Sequence, residues 1–127
     1  MGASIELVRR LDWSATDAAG YWHHSTLWTF AEAGEAELMR TLGLTQMTFG
    51  HTPRKAVTAE FLRPIFFDDE VTITFAVESV GRTSATYAVV LSTGPEPAAR
   101  ASLTVVLTGD DGRPVPWPDE ARVLLQG

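Results

Sequence analysis

One acid stands where chemistry could be done: Asp17, in the short loop Thr16-Asp17-Ala18-Ala19-Gly20, ahead of the pair His23-His24. A carboxylate can attack a carbonyl as a nucleophile or take a proton from water, and either route needs a donor to hold the oxygen on which charge develops. That donor exists if a helix opens after His24, because the first turn of a helix leaves N–H groups unpaired and carries the positive end of the dipole. Asp17 also has a plainer use, as a turn residue that bonds its own backbone. A metal held by Asp17, His23 and His24 is not expected, since adjacent histidines in an extended or turning stretch point apart and no third histidine lies nearby.

Other chemistry is mostly excluded. The chain has no GxSxG elbow, no phosphate-binding GxxxxGK[ST], no GxGxxG and no HExxH. It has no cysteine, hence no disulfide framework, no thiol nucleophile and no sulfur-ligated metal. A net charge of -6 argues against general nucleic-acid binding, which needs a basic surface. An anionic ligand would have to find Arg63, Arg82 or the Arg54-Lys55 pair, which are otherwise ordinary surface charges. Trp13, Trp22 and Trp28 read as core, with one of them available to line a pocket.

The elements that must position Asp17 follow from periodicity. Ile5, Leu7, Leu11 and Trp13 alternate with Glu6, Arg10 and Asp12, a first strand ending just before the loop. Leu27, Trp28, Ala31, Leu38 and Leu42, with Gly34 on the same line and Phe30 and Ala33 widening the stripe, have the spacing of one long amphipathic helix. Ser25 or Thr26 can cap its start, Arg40 suits its last turn and Gly43 stops it. Gly34 in mid-helix costs roughly 1 kcal/mol against Ala, which suggests another backbone passing close by. Glu32, Glu35 and Glu37 load the helix with negative charge, and Glu32 and Glu37 make a solvated or interface face.

Leu44 to Lys55 has no clear period and reads as a loop. Strands are expected over Ala56 to Leu62, Glu70 to Val80, Thr83 to Thr93 and Ala99 to Thr108, with a tight turn at Gly81-Arg82 and the Gly-Pro-Glu-Pro punctuation before the last strand. A short amphipathic tail, Asp119 to Leu125, closes the chain. At 127 residues and 45% hydrophobic content this is one α+β domain over residues 1–127, with an antiparallel sheet of about five strands packed on one helix. Unpaired sheet edges imply a second copy joined edge to edge. Neither a membrane span nor a signal-peptide pattern is visible, so a cytoplasmic protein with no membrane partner is expected.

Taken together, TDAAG followed by YWHHS, the helix with Glu32 and Glu37, the LGL at its end, FLRPIFFDDEVTI, the VGRTSATY hairpin and the closing DGRPVPWP resemble the hotdog-fold acyl-CoA thioesterases of the 4-hydroxybenzoyl-CoA thioesterase type, from Leu7 to Leu125. The resemblance implies a hotdog fold, a sheet wrapped around the long helix, and a homodimer or homotetramer with active sites at subunit interfaces. It implies hydrolysis of an acyl-CoA or acyl-carrier-protein thioester without a cofactor. Asp17 would be nucleophile or general base, and the backbone amide at His24 the oxyanion donor, with the His24 side chain a possible helper. Gly20, Trp22, Arg63 and Arg82 would contact substrate, and Glu32 is a reserve carboxylate. A hotdog hydratase or dehydratase, and a non-catalytic acyl-thioester binding protein, are the alternatives. The first lacks its His-rich helix motif here, and the second lacks an output module.

Overall fold

The structure, a computed structural model, describes residues 2–127. Five strands, β1 (Ser4–Arg10), β2 (Arg54–Phe61), β3 (Glu70–Val80), β4 (Ser84–Thr93) and β5 (Glu96–Val106), form one antiparallel sheet in the order β1-β3-β4-β5-β2. The long helix α1 (Thr26–Leu42) packs on one face of it, with a short α2 (Thr45–Thr48) after it and α3 (Asp119–Gln126) at the C-terminus. This is the α+β hotdog arrangement. Among the described residues no helix is long and apolar enough to cross a membrane.

The helix-facing side of the sheet is built by strict alternation. Ile73 pairs with Leu91, Phe75 with Val89 and Val77 with Tyr87, and all six are buried. Because side chains alternate across a strand, this register sends the whole apolar set toward α1 and leaves Thr72, Thr74, Thr86 and Thr104 on the other side. From α1 the buried partners are Leu27, Phe30, Ala31, Gly34, Leu38 and Met39. Gly34 is small for a different reason from the one expected: a Cβ there would lie 2.8 Å from the Cβ of Phe75, so the obstacle is a side chain of β3 and not another backbone. The end of α1 behaves as read, the amide of Leu44 reaching the Met39 carbonyl at 2.8 Å beyond Gly43.

Several boundaries differ from the sequence reading. β1 stops at Arg10, and Trp13 begins a 3-10 turn, Trp13–Ala15, where the residue is 76% exposed rather than core. Trp28 is half-buried, and of Trp13, Trp22 and Trp28 it is Trp22, at 6%, that is fully buried. The stretch that reads as a loop contains α2 and the start of β2, whose register shifts between Arg54 and Ala56. β5 begins at Glu96, so the turn is Gly94-Pro95 and Pro97 lies inside the strand, opposite Ser92 and next to the first rung, Thr93–Glu96.

The edges of the sheet are β1 and β2. Every residue of β2 is exposed, including Val57 and Phe61. A strand with apolar side chains and a full row of free backbone groups is the kind of edge that proteins cover.

Candidate active site

The Asp17 loop is a closed excursion just ahead of α1. Thr16 and Trp22 form its closing rung, and the Asp17 amide reaches the Tyr21 carbonyl at 2.9 Å. Inside it the Asp17 carbonyl accepts the Gly20 amide at 3.1 Å, while Oδ1 of Asp17 accepts the Ala19 amide at 2.8 Å. Gly20 has a φ of +89°, the left-handed region that a side chain would strain. One carboxylate oxygen thus shapes the turn, and the other, Oδ2, has no hydrogen-bond partner among the described residues. The turn role and a chemical role are compatible, because the turn fixes where the free oxygen points.

The loop is braced from two sides. The Trp22 amide donates to Ile65 at 2.8 Å and Tyr21 bridges Phe66, which tie it to the β2–β3 connection. The His23 amide donates to the Ala15 carbonyl at 2.7 Å, and Thr26 Oγ1 reaches the same carbonyl at 3.4 Å. The β2–β3 connection is itself held to the end of β1 by Leu11, which donates to Asp69 and accepts from Asp68.

At the helix start, the amides can be accounted for one by one. Those of Thr26, Leu27 and Trp28 donate to the carbonyls of His23, His24 and Ser25 at 2.9, 3.2 and 3.1 Å. The Ser25 amide donates to Nδ1 of His23 at 3.2 Å. From Trp22 to Trp28, only the amide of His24 has no partner among the described residues. The sequence places the cap at Ser25 or Thr26; neither side chain caps. Ser25 Oγ instead bonds Nδ1 of His23 at 2.8 Å. The His23 ring is the cap that sequence reasoning missed, and its position two residues ahead of Ser25, where an Asp or Asn would be read as a turn former, is the available signal. The His24 ring is exposed, lies 4.4 Å from that of His23 and faces Phe61 edge-on at 6.5 Å.

Beside the loop runs a shallow groove of about 320 Å³ lined by Tyr21, Trp22, Phe61, Leu62, Arg63 and Pro64. It brings together Trp22 and Arg63 from the expected set. The Arg63 guanidinium is already engaged, donating from Nη2 to the carbonyls of Thr93 and Glu96, both at 3.3 Å, and to Thr93 Oγ1, and from Nε to the Pro97 carbonyl at 3.4 Å. Arg82 lies in the β3–β4 turn, at the opposite end of β3 from the Asp68–Asp69 corner that braces the loop. Across the 11 residues of β3 that is about 36 Å at the rise of a strand. Arg82 and Asp17 of one protomer are therefore not brought together.

A larger cleft, about 410 Å³, lies away from Asp17, between α1, α2 and the start of β2. Glu32, Glu35, Phe49 and Arg54 line it. Arg54 donates to Glu35 there, and Glu37 instead pairs with Arg40. Beneath this ion pair Tyr87 is fully buried, with its hydroxyl unpartnered among the described residues. Desolvation raises the Tyr87 phenol well above its ordinary range, with Glu35 adding to the rise and Arg54 opposing it. Among the described residues no group of three His, Cys, Asp or Glu side chains could hold a metal ion.

The family model of the thioesterase superfamily matches residues 19–99, well over half of the chain, and this chain belongs to that family. Asp17 falls two residues ahead of the matched stretch. No curated protein matches the sequence. Among solved structures, a predicted thioesterase from Bacillus stearothermophilus is 25% identical, with 97% of this chain and 94% of that one covered at a TM-score of 0.88. A thioesterase from Thermus thermophilus complexed with coenzyme A and Zn is 21% identical, covering 94% and 90% at 0.87. A mutant 4-hydroxybenzoyl CoA thioesterase complexed with 4-hydroxybenzoyl CoA is 23% identical, covering 96% and 98% at 0.86. The last two likenesses are likenesses of fold.

Proposed function

We propose that this thioesterase hydrolyses an acyl-CoA or acyl-carrier-protein thioester, with the Asp17 carboxylate supplying the electron pair and the His24 amide holding the carbonyl oxygen. The observation that carries the reading is the unpaired His24 amide at the positive end of α1, next to a loop whose carboxylate keeps one oxygen free. As the thioester carbonyl becomes tetrahedral its oxygen takes on negative charge, and a fixed backbone N–H stabilises that charge without reorganising. The thiolate then leaves. Asp17 acts either at the carbonyl carbon, giving an anhydride that water opens, or on a water that attacks in its place; a single turnover in labelled water separates the two.

Coenzyme A thioesters are favoured because two structures of this fold hold coenzyme A or a CoA thioester. A homodimer through β2 completes the site in this reading. An isologous antiparallel pairing of two β2 strands sets the Phe61 end of one copy, where Asp17 and His24 sit, against the Arg54 end of the other. Arg82, Glu32 and the larger cleft of the second copy then approach the Asp17 loop, so the phosphate-binding charge and the acyl pocket come from across the interface. Arg63 closes the near side of the groove through its backbone contacts. Thiol release from a panel of acyl-CoAs, read as free thiol, tests the reading. Release from at least one member is expected, and no release from any would refute it.

A further inference from the structure

We infer that His23 is a positioning residue for thioester hydrolysis: its ring captures the Ser25 amide and so leaves the His24 amide as the single oriented donor at the start of α1. The inference rests on the hydrolytic reading above and extends it to a residue outside the reacting groups.

The geometry assigns the ring its state. Nδ1 of His23 accepts the Ser25 N–H at 3.2 Å, so Nδ1 carries no proton, and the ring proton sits on Nε2. The 2.8 Å contact between Nδ1 and Ser25 Oγ is then a bond donated by the hydroxyl. Nδ1 thus closes a two-residue loop over the peptide of His24. The same peptide is fixed from below, because the His23 amide is tied to Ala15 and the His23 and His24 carbonyls accept the amides of Thr26 and Leu27. Of the backbone amides from Trp22 to Trp28, that of His24 alone has no partner among the described residues.

Without the ring acceptor, two N–H groups in succession, at His24 and Ser25, would be free. A carbonyl oxygen could then be drawn between them, and the His24 peptide could rock about its neighbours. Only a donor already in place when charge develops lowers the barrier, so loss of the cap should appear in kcat and not in KM. Asparagine can reproduce the bond, since its Oδ1 accepts an amide two residues ahead. Glutamine holds its oxygen one carbon too far, and leucine offers no acceptor.

The test is steady-state hydrolysis of the best acyl-CoA by His23→Leu, His23→Gln and His23→Asn, together with a long-range proton–nitrogen NMR spectrum of the wild-type histidines. For His23→Leu and His23→Gln kcat should fall about tenfold or more with KM within about twofold, and His23→Asn should restore kcat to within about threefold of wild type. If leucine prevents folding, the glutamine variant carries the comparison. The spectrum should show Nδ1 of His23 unprotonated. Wild-type kcat in His23→Gln, or an asparagine variant as slow as the glutamine one, would overturn the inference. A wild type active with the proton on Nδ1 would overturn the cap alone, whereas one inactive on every thioester with Nδ1 unprotonated would overturn the hydrolytic reading and keep the cap.

Discussion

Arg54 and Glu35 meet in a two-pronged ion pair, Nη1 to Oε2 at 2.9 Å and Nη2 to Oε1 at 2.6 Å, which joins the first residue of β2 to the middle of α1. The Glu35 side chain is only 15% exposed, so removing the arginine leaves a half-buried charge with no counterion. Arg54→Ala should therefore cost about 1–3 kcal/mol, and Glu35→Gln in the same background should recover part of the loss. Urea denaturation of the two single variants and the double variant checks this. Additive losses would mean that the pair is not coupled.

Tyr87, below that pair, gives a prediction in pH. Its hydroxyl has no partner among the described residues, so Tyr87→Phe should be neutral or stabilising by up to about 1 kcal/mol near neutral pH. Burial raises the folded-state value, so the unfolded chain releases this proton first, near the ordinary tyrosine value of about 10. The folded chain then binds more protons than the unfolded one, and stability falls as pH rises through and beyond that value. The phenylalanine variant should lose less stability over that alkaline range than wild type. Equal alkaline slopes in the two proteins would show that Tyr87 reaches a partner or solvent.

Arg63 separates a structural contribution from a binding one. With its donors on Thr93, Glu96 and Pro97, Arg63→Ala should lower Tm by a few degrees, as expected for about 1–2 kcal/mol in a domain of this size. A rise in KM for CoA thioesters with Tm unchanged would instead make it a phosphate contact. Arg82, with an exposed side chain, should show the reverse: KM raised for CoA thioesters, little effect on a small thioester without the nucleotide, and unaltered Tm.

Much of this is legible in the sequence, and the reasons for the gaps are local. The alternation of Val71, Ile73, Phe75 and Val77 predicts the register with β4 because a one-residue slip would turn the whole set to the wrong face. The need for a small residue at Gly34 is visible in sequence, but the identity of Phe75 as its neighbour is set by tertiary packing. Trp13 continues the alternation of β1 on paper, yet it opens the 3-10 turn Trp13–Ala15, closed by the Thr16 amide on the Trp13 carbonyl, which takes its side chain out of the strand's alternation. Pro97 reads as punctuation because it cannot donate, although it is the second residue of β5, at the start of the strand, where a missing donor is tolerated. Asp17 and His24 are legible as a carboxylate and a helix start, whereas the cap by His23 depends on a ring rotamer that no spacing rule contains.

The exposed strand β2 predicts the assembly. Val57→Glu places a charge on the helix-facing side of the free edge, where a second copy would cover it, and should yield a monomer with activity reduced at least about tenfold. Light scattering and thiol release on the same sample check both halves. A wild-type protein that is monomeric at micromolar concentration and still turns over would contradict a site built across two copies.

The most direct test of the central claim is Asp17→Asn. Asparagine keeps the oxygen that accepts the Ala19 amide, so the turn and the fold should persist while the charge is removed. Loss of a nucleophile or base should reduce kcat on the best acyl-CoA by about a hundredfold or more, with KM and Tm nearly unchanged. Hydrolysis within a few-fold of wild type would make Asp17 a turn residue only, and would pass the role to another carboxylate, of which Glu32 is the first to test.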